Sequence, residues 1–234
     1  MGRASRTKRD RVKAPPTGTP TSSSRPAWLL PAGGGLVLVV AAVVVVVLAL
    51  SGGKNSSASA QEWPPDSEMT GLLTTPPPWP SNAEQLPGRL ETLGLDQLAV
   101  EGNVIHIHQH LDLFVDGKHV AVPASVGFPQ DQSFIAALHT HDGRGVIHVE
   151  SPEKRDFYLG EFFGVWGVRL NEKCIGGDCA RGTKQLRAYV NGEEFKGDPR
   201  DIVLKPHEEI VLAFGTRKQL PKEIPSSYKF AEGE

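Results

Sequence analysis

The sequence predicts a mainly β domain, either a sandwich or a small barrel with one or two short helices, preceded by one transmembrane helix. Two observations support this prediction. Residues 97–215 hold short apolar stretches at regular spacing, separated by glycine-containing turns, with one convincing helix among them. Residues 29–50 form an apolar run of 22 residues without a charged side chain, which is long enough to cross a bilayer as a helix.

The predicted membrane anchor, residues 27–50, follows a basic N-terminal tail. Residues 1–26 carry seven basic side chains and one acidic one, a net charge of +6, whereas the rest of the chain carries 18 basic and 26 acidic residues, a net charge of −8. The positive-inside rule then places the N-terminus in the cytoplasm and the C-terminal domain outside the cell membrane. The alternative to a retained signal anchor is cleavage near Ala60. No nucleic-acid partner is expected, because membrane topology accounts for the basic tail.

Composition divides the chain into five regions. They are a basic disordered cytoplasmic tail, the signal anchor, a Pro/Ser-rich linker with a short helix, an extracytoplasmic β domain and a polar tail, at residues 1–26, 27–50, 51–96, 97–215 and 216–234. Within the β domain, Cys174 and Cys179 flank a Gly-Gly turn. In an oxidising compartment such a pair is expected to form a disulfide, with metal ligation as the alternative.

The elements follow from apolar alternation and from turn residues. Asp116-Gly117, residues 142–145 and Asn191-Gly192 are predicted hairpin turns. Two helices are expected: one within residues 81–95, with Asn82 as a plausible cap, and one at residues 159–166, which ends at Gly167. The strands are expected at residues 104–115, 118–122, 138–141, 146–149, 186–190, 202–204 and 210–214.

Seven of the eight histidines lie between residues 106 and 148, and they set the functional prediction. In the first strand the odd positions are apolar and the even positions are His106, His108 and His110, so three imidazoles share the face opposite the core. These three span about 13 Å, too far for all of them to bind one ion, so one or two are expected to complete a site across the sheet.

The second hairpin brings further histidines together. If its register holds, His139 lies opposite His148, and His141 shares their face at a distance suited to binding one ion. Glu150 shares this face too, either as a fourth ligand or as the partner of an imidazole N–H. The predicted ligands of a transition-metal site are therefore His106, His108, His110, His139, His141 and His148.

A nitrogen-rich site favours zinc or copper, with iron as a further alternative. A thioether Cu(I) site is not expected, because Met1 and Met69 are the only methionines. A blue-copper site would require a free cysteine beside two histidines, and both cysteines are expected to be paired. His119, His207, Asp112 and Asp142 are expected at the surface or in turns.

Three blocks of the sequence resemble an uncharacterised family of membrane-anchored extracytoplasmic proteins of bacteria and archaea. The resemblance covers most of residues 71–216 and supports treating these blocks as one unit, but it implies no activity. The blocks have the forms HIHxHL, LHTHDxxGxIHVE and LGxFFxxWG, and here they occupy residues 106–111, 138–150 and 159–167.

The sequence thus predicts a single-pass membrane protein whose extracytoplasmic domain binds a transition metal through clustered histidines. Two alternatives stay open. One is a metal-dependent enzyme, a hydrolase or oxygenase, with Glu150 or Asp142 as base. The other is a non-catalytic envelope interaction domain in which the histidines are incidental. The predicted partners are the membrane and the metal ion, and the sequence identifies no protein partner.

Overall fold

A computed structural model describes residues 61–234, and its centre is a seven-stranded sheet. The seven strands are β2 (Ile105–Val115), β3 (Lys118–Val120), β5 (Leu138–His139), β6 (Val146–Ser151), β9 (Gln185–Val190), β10 (Glu193–Phe195) and β11 (Glu209–Gly215). They pair in the order β10-β9-β11-β2-β6-β5, with β3 also paired to β2. All neighbours are antiparallel except β2 and β11, which run parallel.

Smaller elements surround this sheet. Two two-stranded sheets pair β1 (Gln97–Leu98) with β4 (Ile135–Ala136), and β7 (Cys174–Ile175) with β8 (Asp178–Cys179). The helices are α1 (Leu86–Leu93) and α2 (Leu159–Trp166), together with 3₁₀ turns at Asp66–Glu68, Pro199–Asp201 and Arg217–Gln219.

The mainly β prediction is confirmed, and α2 begins and ends where the sequence predicts. The sheet is open rather than closed into a barrel, because β10 and β5 form its two ends. Within residues 61–234 no second large sheet faces it as in a sandwich. The two helices pack in the same hydrophobic core as its strands instead, and all eight residues of α2 are buried.

The core lies on the face formed by the odd residues of β2. Leu111 and Leu113 of this strand join Ile147 and Val149 of β6 and the aromatic side chains of α2 in one hydrophobic cluster. This alternation is the predicted one, since successive residues of a strand point to opposite faces.

Arg89 of α1 is fully buried and lies against the C-terminal end of α2. Its guanidinium donates hydrogen bonds to the carbonyl oxygens of Gly164 and Val165, and others to Thr70 and Asn82. The last carbonyls of a helix have no partner within the helix, so Arg89 supplies partners that the buried end of α2 requires. Among the described residues no carboxylate pairs with Arg89, and burial lowers its pKa to about 10.

The opposite face of the sheet carries the even residues of β2 and is partly covered by the C-terminal segment, residues 216–234. Leu220 and Ile224 of this segment pack with Tyr189, Val211 and Ala213, three buried residues of β9 and β11. The segment predicted as a polar tail therefore has an apolar side that lies on the sheet.

Other predictions concern local structure. Cys174 and Cys179 form the expected disulfide, with 4.1 Å between their Cα atoms across the β7–β8 hairpin. Asn82 is not the cap of α1, because the helix begins only after Gln85 and the Asn82 side chain donates to Gly71 instead. Residues 202–204 form one isolated bridge between Val203 and Tyr158 rather than a strand.

No helix in the described part of the chain has the length and apolar character needed to span a membrane. The predicted basic tail, signal anchor and cleavage position at Ala60 all lie outside residues 61–234.

Candidate metal centre

Three adjacent strands and the loop after β5 bring five of the six predicted ligands together on the face opposite the core. In the order β2-β6-β5, His108 is paired with His148 and His148 with His139. One step along the same face, His106 of β2 is paired with Glu150 of β6. The predicted register of the second hairpin is therefore present at His139, although β5 ends there and His141 follows in a loop.

His139 is fully buried and held in one orientation. Its Nδ1 donates a hydrogen bond to the carbonyl oxygen of Ala136 at 3.0 Å, which leaves Nε2 of the neutral ring with a free lone pair. That Nε2 lies 3.2 Å from Nε2 of His141. Neighbouring nitrogens of a tetrahedral zinc site are about 3.3 Å apart, given Zn–N bonds of about 2.0–2.1 Å. The two nitrogens are therefore spaced as ligands of one ion.

Close packing fixes the loop and strand that carry this pair. Gly127 has a φ of +81°, and a Cβ there would lie 2.5 Å from the carbonyl oxygen of Leu138, so the chain approaches β5 where only glycine fits. Phe128 packs its ring edge against His139, with centroids 5.5 Å apart. Buried Thr140 donates to the carbonyl oxygen of Pro123. These contacts of Gly127, Phe128 and Thr140 thus fix the course of the chain into His141.

Glu150 lies at the centre of the histidines and is 2% exposed. Its Oε1 is 3.1 Å from Nδ1 of His148, 3.8 Å from Nε2 of His139, 3.4 Å from Nε2 of His106 and 4.0 Å from Nε2 of His108. Its Oε2 is buried and has no hydrogen-bond partner among residues 61–234. A buried oxygen without a partner is costly, so this atom is suited to accept a cation.

The pKa values of His108, His139 and Glu150 favour the protonation states that metal binding requires. Burial lowers the pKa of His139 to about 3, and burial together with the neighbouring His148 lowers the pKa of His108 to about 4. Burial alone would raise the pKa of Glu150, but the hydrogen bond of His148 and the nearby histidines outweigh it and lower this pKa to about 2. At neutral pH the centre thus offers the neutral imidazoles of His108 and His139 and the ionised carboxylate of Glu150, which are the forms that bind metals.

Two groups of donor atoms emerge. The first group is His139, His141, His148 and Glu150, and the second is His106, His108 and Glu150; within each, all donor atoms lie within 4.8 Å of one another. The first group matches the second-hairpin prediction, including Glu150. His106 and His141 have side chains 53% and 45% exposed, whereas the other members are nearly buried, so the centre opens to solvent at these two residues.

His110 lies on the same face of β2 but outside this centre. Its Nδ1 contacts Oε2 of Glu209 at 2.7 Å, and its Nε2 donates to the carbonyl oxygen of Arg144 at 2.8 Å. Tyr228 of the C-terminal segment stacks on the ring, with centroids 3.8 Å apart. A third donor group, His110 with Asp112 and Glu209, is close enough to hold an ion. However, both ring nitrogens of His110 already have partners, so the ring is placed as an ion-pair partner.

The remaining polar candidates lie elsewhere. Asp142 pairs with Arg144 at 2.8 Å, and His119 pairs with Asp112 at 2.9 Å near the first turn. His207 contacts the backbone of Glu234. Sequence reasoning missed Glu101, whose Oε1 lies 3.6 Å from Nε2 of His141. Glu101 precedes β2 in a loop, where no periodic pattern marks it.

An open groove of about 530 Å³ lies beside His106 and His108. Pro206, His207 and Glu234 line its other side. Solvent or a small molecule in this groove would meet the exposed edge of the second donor group.

Comparison with protein-family models, with curated proteins and with solved structures found no match for this chain. The functional conclusion therefore depends on the geometry of the site itself.

Proposed function

We propose that this domain binds a transition-metal ion through His139, His141, His148 and Glu150. The observation that supports the proposal most strongly is Glu150, a buried carboxylate surrounded by imidazoles, one oxygen of which has no hydrogen-bond partner in the described part of the chain. Within residues 61–234 no lysine or arginine pairs with this carboxylate. A divalent cation would supply the missing charge and occupy the free lone pairs.

The donor set also indicates the metal. Three imidazole nitrogens and one carboxylate oxygen suit zinc or copper, and iron remains compatible with the same donors. The cysteines do not contribute, because both sulfur atoms are used in the disulfide of the β7–β8 hairpin.

A metal-dependent enzyme is the second candidate function, and the groove beside His106 and His108 favours it. Catalysis requires a coordination position or a bound water that a substrate can reach, and the centre is open on this side. Asp142 pairs with Arg144 and belongs to none of the donor groups, so the carboxylates beside these histidines are Glu150 within the centre and Glu101 at its edge next to His141.

We further propose that the apolar segment 27–50 anchors the chain and holds the domain on the outer side of the cell membrane. The support is the charge asymmetry around that segment and the presence of a disulfide, which persists in oxidising compartments. A protease added to intact cells should digest the C-terminal domain. Full protection of the domain until the cells are lysed would contradict this orientation.

The binding proposal is tested by titrating the full-length chain, purified without a histidine tag and stripped by chelator, with Zn²⁺ and with Cu²⁺ in a calorimeter. The His141→Ala variant should bind at least about tenfold more weakly, since it loses one ligand of the ion. His119→Ala is the matched control, because His119 is similarly exposed but pairs with Asp112 near the first turn. It should bind within twofold of the wild type. Equal affinities for the two variants would contradict the assigned site.

A further inference from the structure

The two donor groups share one residue, Glu150, which lies on β6 between the strand that carries His106 and His108 and the strand that carries His139. We propose that the centre holds two metal ions bridged by the carboxylate of Glu150, with the second ion bound by His106 and His108. This inference rests on the proposed function, since it adds a second ion beside the first.

Strand order separates the two groups. β6 carries His148 and Glu150 and lies between β2, which carries His106 and His108, and β5, which leads into His141. Adjacent strands are about 4.8 Å apart, so β2 and β5 are separated by about 10 Å. The backbones that carry the two groups are thus well separated, although Nε2 of His139 and Nε2 of His108 both lie within 4.0 Å of Oε1 of Glu150. Two ions, one nearer β5 and one nearer β2, would let each group bind an ion without drawing its strand towards the other.

The number of donors leads to the same conclusion. Five imidazoles and one carboxylate exceed the four ligands of a tetrahedral zinc site. Divided between two ions about 3.5–4 Å apart, they give one ion three histidines and the other two, with Glu150 between them. The carboxylate has the atoms that bridging requires, because Oε1 faces the histidines and none of the described residues forms a hydrogen bond with Oε2.

The second donor group has the geometry of an open site. Nε2 of His106 and Nε2 of His108 lie 3.4 Å and 4.0 Å from Oε1 of Glu150, and the two rings are 5.0 Å apart. The first distance is close to the separation of ligands on one ion, and the second needs only a small side-chain movement. With three protein donors and the groove beside them, this ion would complete its coordination with water or with a ligand in the groove.

The two ions should differ in affinity. The first has four protein donors and the second has three, and one of these donors is shared. The second ion also binds next to a positive charge that is already in place. We therefore expect sequential binding, with the ion at His106 and His108 the weaker of the two.

The test counts metal on the full-length chain, purified without a histidine tag, stripped by chelator and equilibrated by dialysis against Zn²⁺. Elemental analysis should give two ions per chain for the wild type and one for His106→Ala. This substitution is at a half-exposed side chain, so the fold should tolerate it, and thermal unfolding checks that it does. His119→Ala is the control. It removes the exposed pair formed by His119 of β3 and Asp112 of β2, and it should still give two ions.

The outcomes separate this inference from the proposed function. One ion on the wild type, unchanged in His106→Ala, would overturn the two-ion centre and leave the single site intact. No ion on the wild type would overturn both. Two ions on the wild type and still two on His106→Ala would place the second ion elsewhere and overturn the inference.

Loading with two equivalents of Cu²⁺ gives an independent readout, because bridged ions couple magnetically. The electron paramagnetic resonance signal of the wild type should fall well short of two spins per chain. In His106→Ala it should return to one uncoupled spin. Two full uncoupled spins in the wild type would also overturn the inference.

Discussion

At the residue scale, histidines of one strand and one face differ in their surroundings. His108 is nearly buried beside His148 and Glu150, and its pKa is lowered to about 4, first by burial and then by the neighbouring imidazoles of His148 and His106, which outweigh the opposite effect of Glu150. His110, two residues further on, meets the carboxylate of Glu209. Burial alone would lower the pKa of His110, but the hydrogen bond and charge of Glu209 outweigh burial and raise this pKa. The neighbouring charge, rather than the spacing in the sequence, decides whether an imidazole is suited to a metal or to an ion pair.

The charged form of His110 should stabilise the fold in a defined pH range. Its folded-state pKa is raised above the unfolded value of about 6.5, so its contribution is fully present below that pH and is lost as pH rises through the folded-state pKa. We expect the wild type to exceed His110→Gln in free energy of unfolding most at pH 6, with the gap narrowing towards pH 9. Urea unfolding with chelator present measures it. A gap that is constant or widens with pH would contradict this assignment.

Much of the candidate site follows from the sequence at this scale, and the omissions have physical causes. Alternation along β2 predicts that His106 and His108 lie opposite the core, and turn length predicts that His139 faces His148. The partner of His110 could not be predicted, because Glu209 is 99 residues away and reaches it through a parallel strand pair. Local patterns contain no information about such a pairing.

At the element scale, α2 depends on a side chain from another helix. Its buried aromatic residues and its glycine stop are evident in the sequence, and its bounds were predictable for that reason. At its C-terminal end, Arg89 of α1 donates hydrogen bonds to the carbonyl oxygens of Gly164 and Val165, which lie 75 and 76 residues further along the sequence. The strand β5, by contrast, is shorter than predicted because Thr140 bonds to Pro123 and Val126 rather than continuing the ladder.

Replacement of Arg89 should therefore destabilise the domain strongly. Arg89→Met keeps much of the side-chain length, but within residues 61–234 it leaves the carbonyl oxygen of Val165 without a donor and that of Gly164 with only the N–H of Gly167. We expect a loss of about 3 kcal/mol in the free energy of unfolding. Arg217→Met is the matched control, because Arg217 is exposed, and it should change stability by less than about 0.5 kcal/mol. Tryptophan fluorescence during urea unfolding measures both. Similar losses in the two variants would contradict the role given to Arg89.

At the scale of the whole molecule, the sheet has two covered faces of different character. One is the hydrophobic core beneath the helices, and the other combines the histidine centre with the C-terminal segment, residues 216–234. That segment places Tyr228 over His110 and joins Glu234 to Arg144 and His207. Its apolar residues are separated by polar ones, so composition alone indicates a polar tail, and only the register of the sheet beneath them reveals their role.

Packing of this segment can be measured at one residue. Ile224→Ala removes a partly buried side chain from the cluster with Val211 and Ala213, and we expect it to lower the free energy of unfolding by about 1–2 kcal/mol. Val100→Ala is the control, because Val100 is 76% exposed, and it should have almost no effect. If urea unfolding finds no difference between the two variants, the segment does not contribute to the fold in this way.

The central claim is that an ion is bound among His139, His141, His148 and Glu150. The most direct measurement is a crystal structure of the zinc-loaded protein with anomalous data collected at the metal absorption edge. We expect an anomalous peak about 2.0–2.2 Å from Nε2 of His139 and from an oxygen of Glu150. A fully loaded crystal whose only anomalous peaks lie elsewhere, for example at His119 and Asp112, would contradict it.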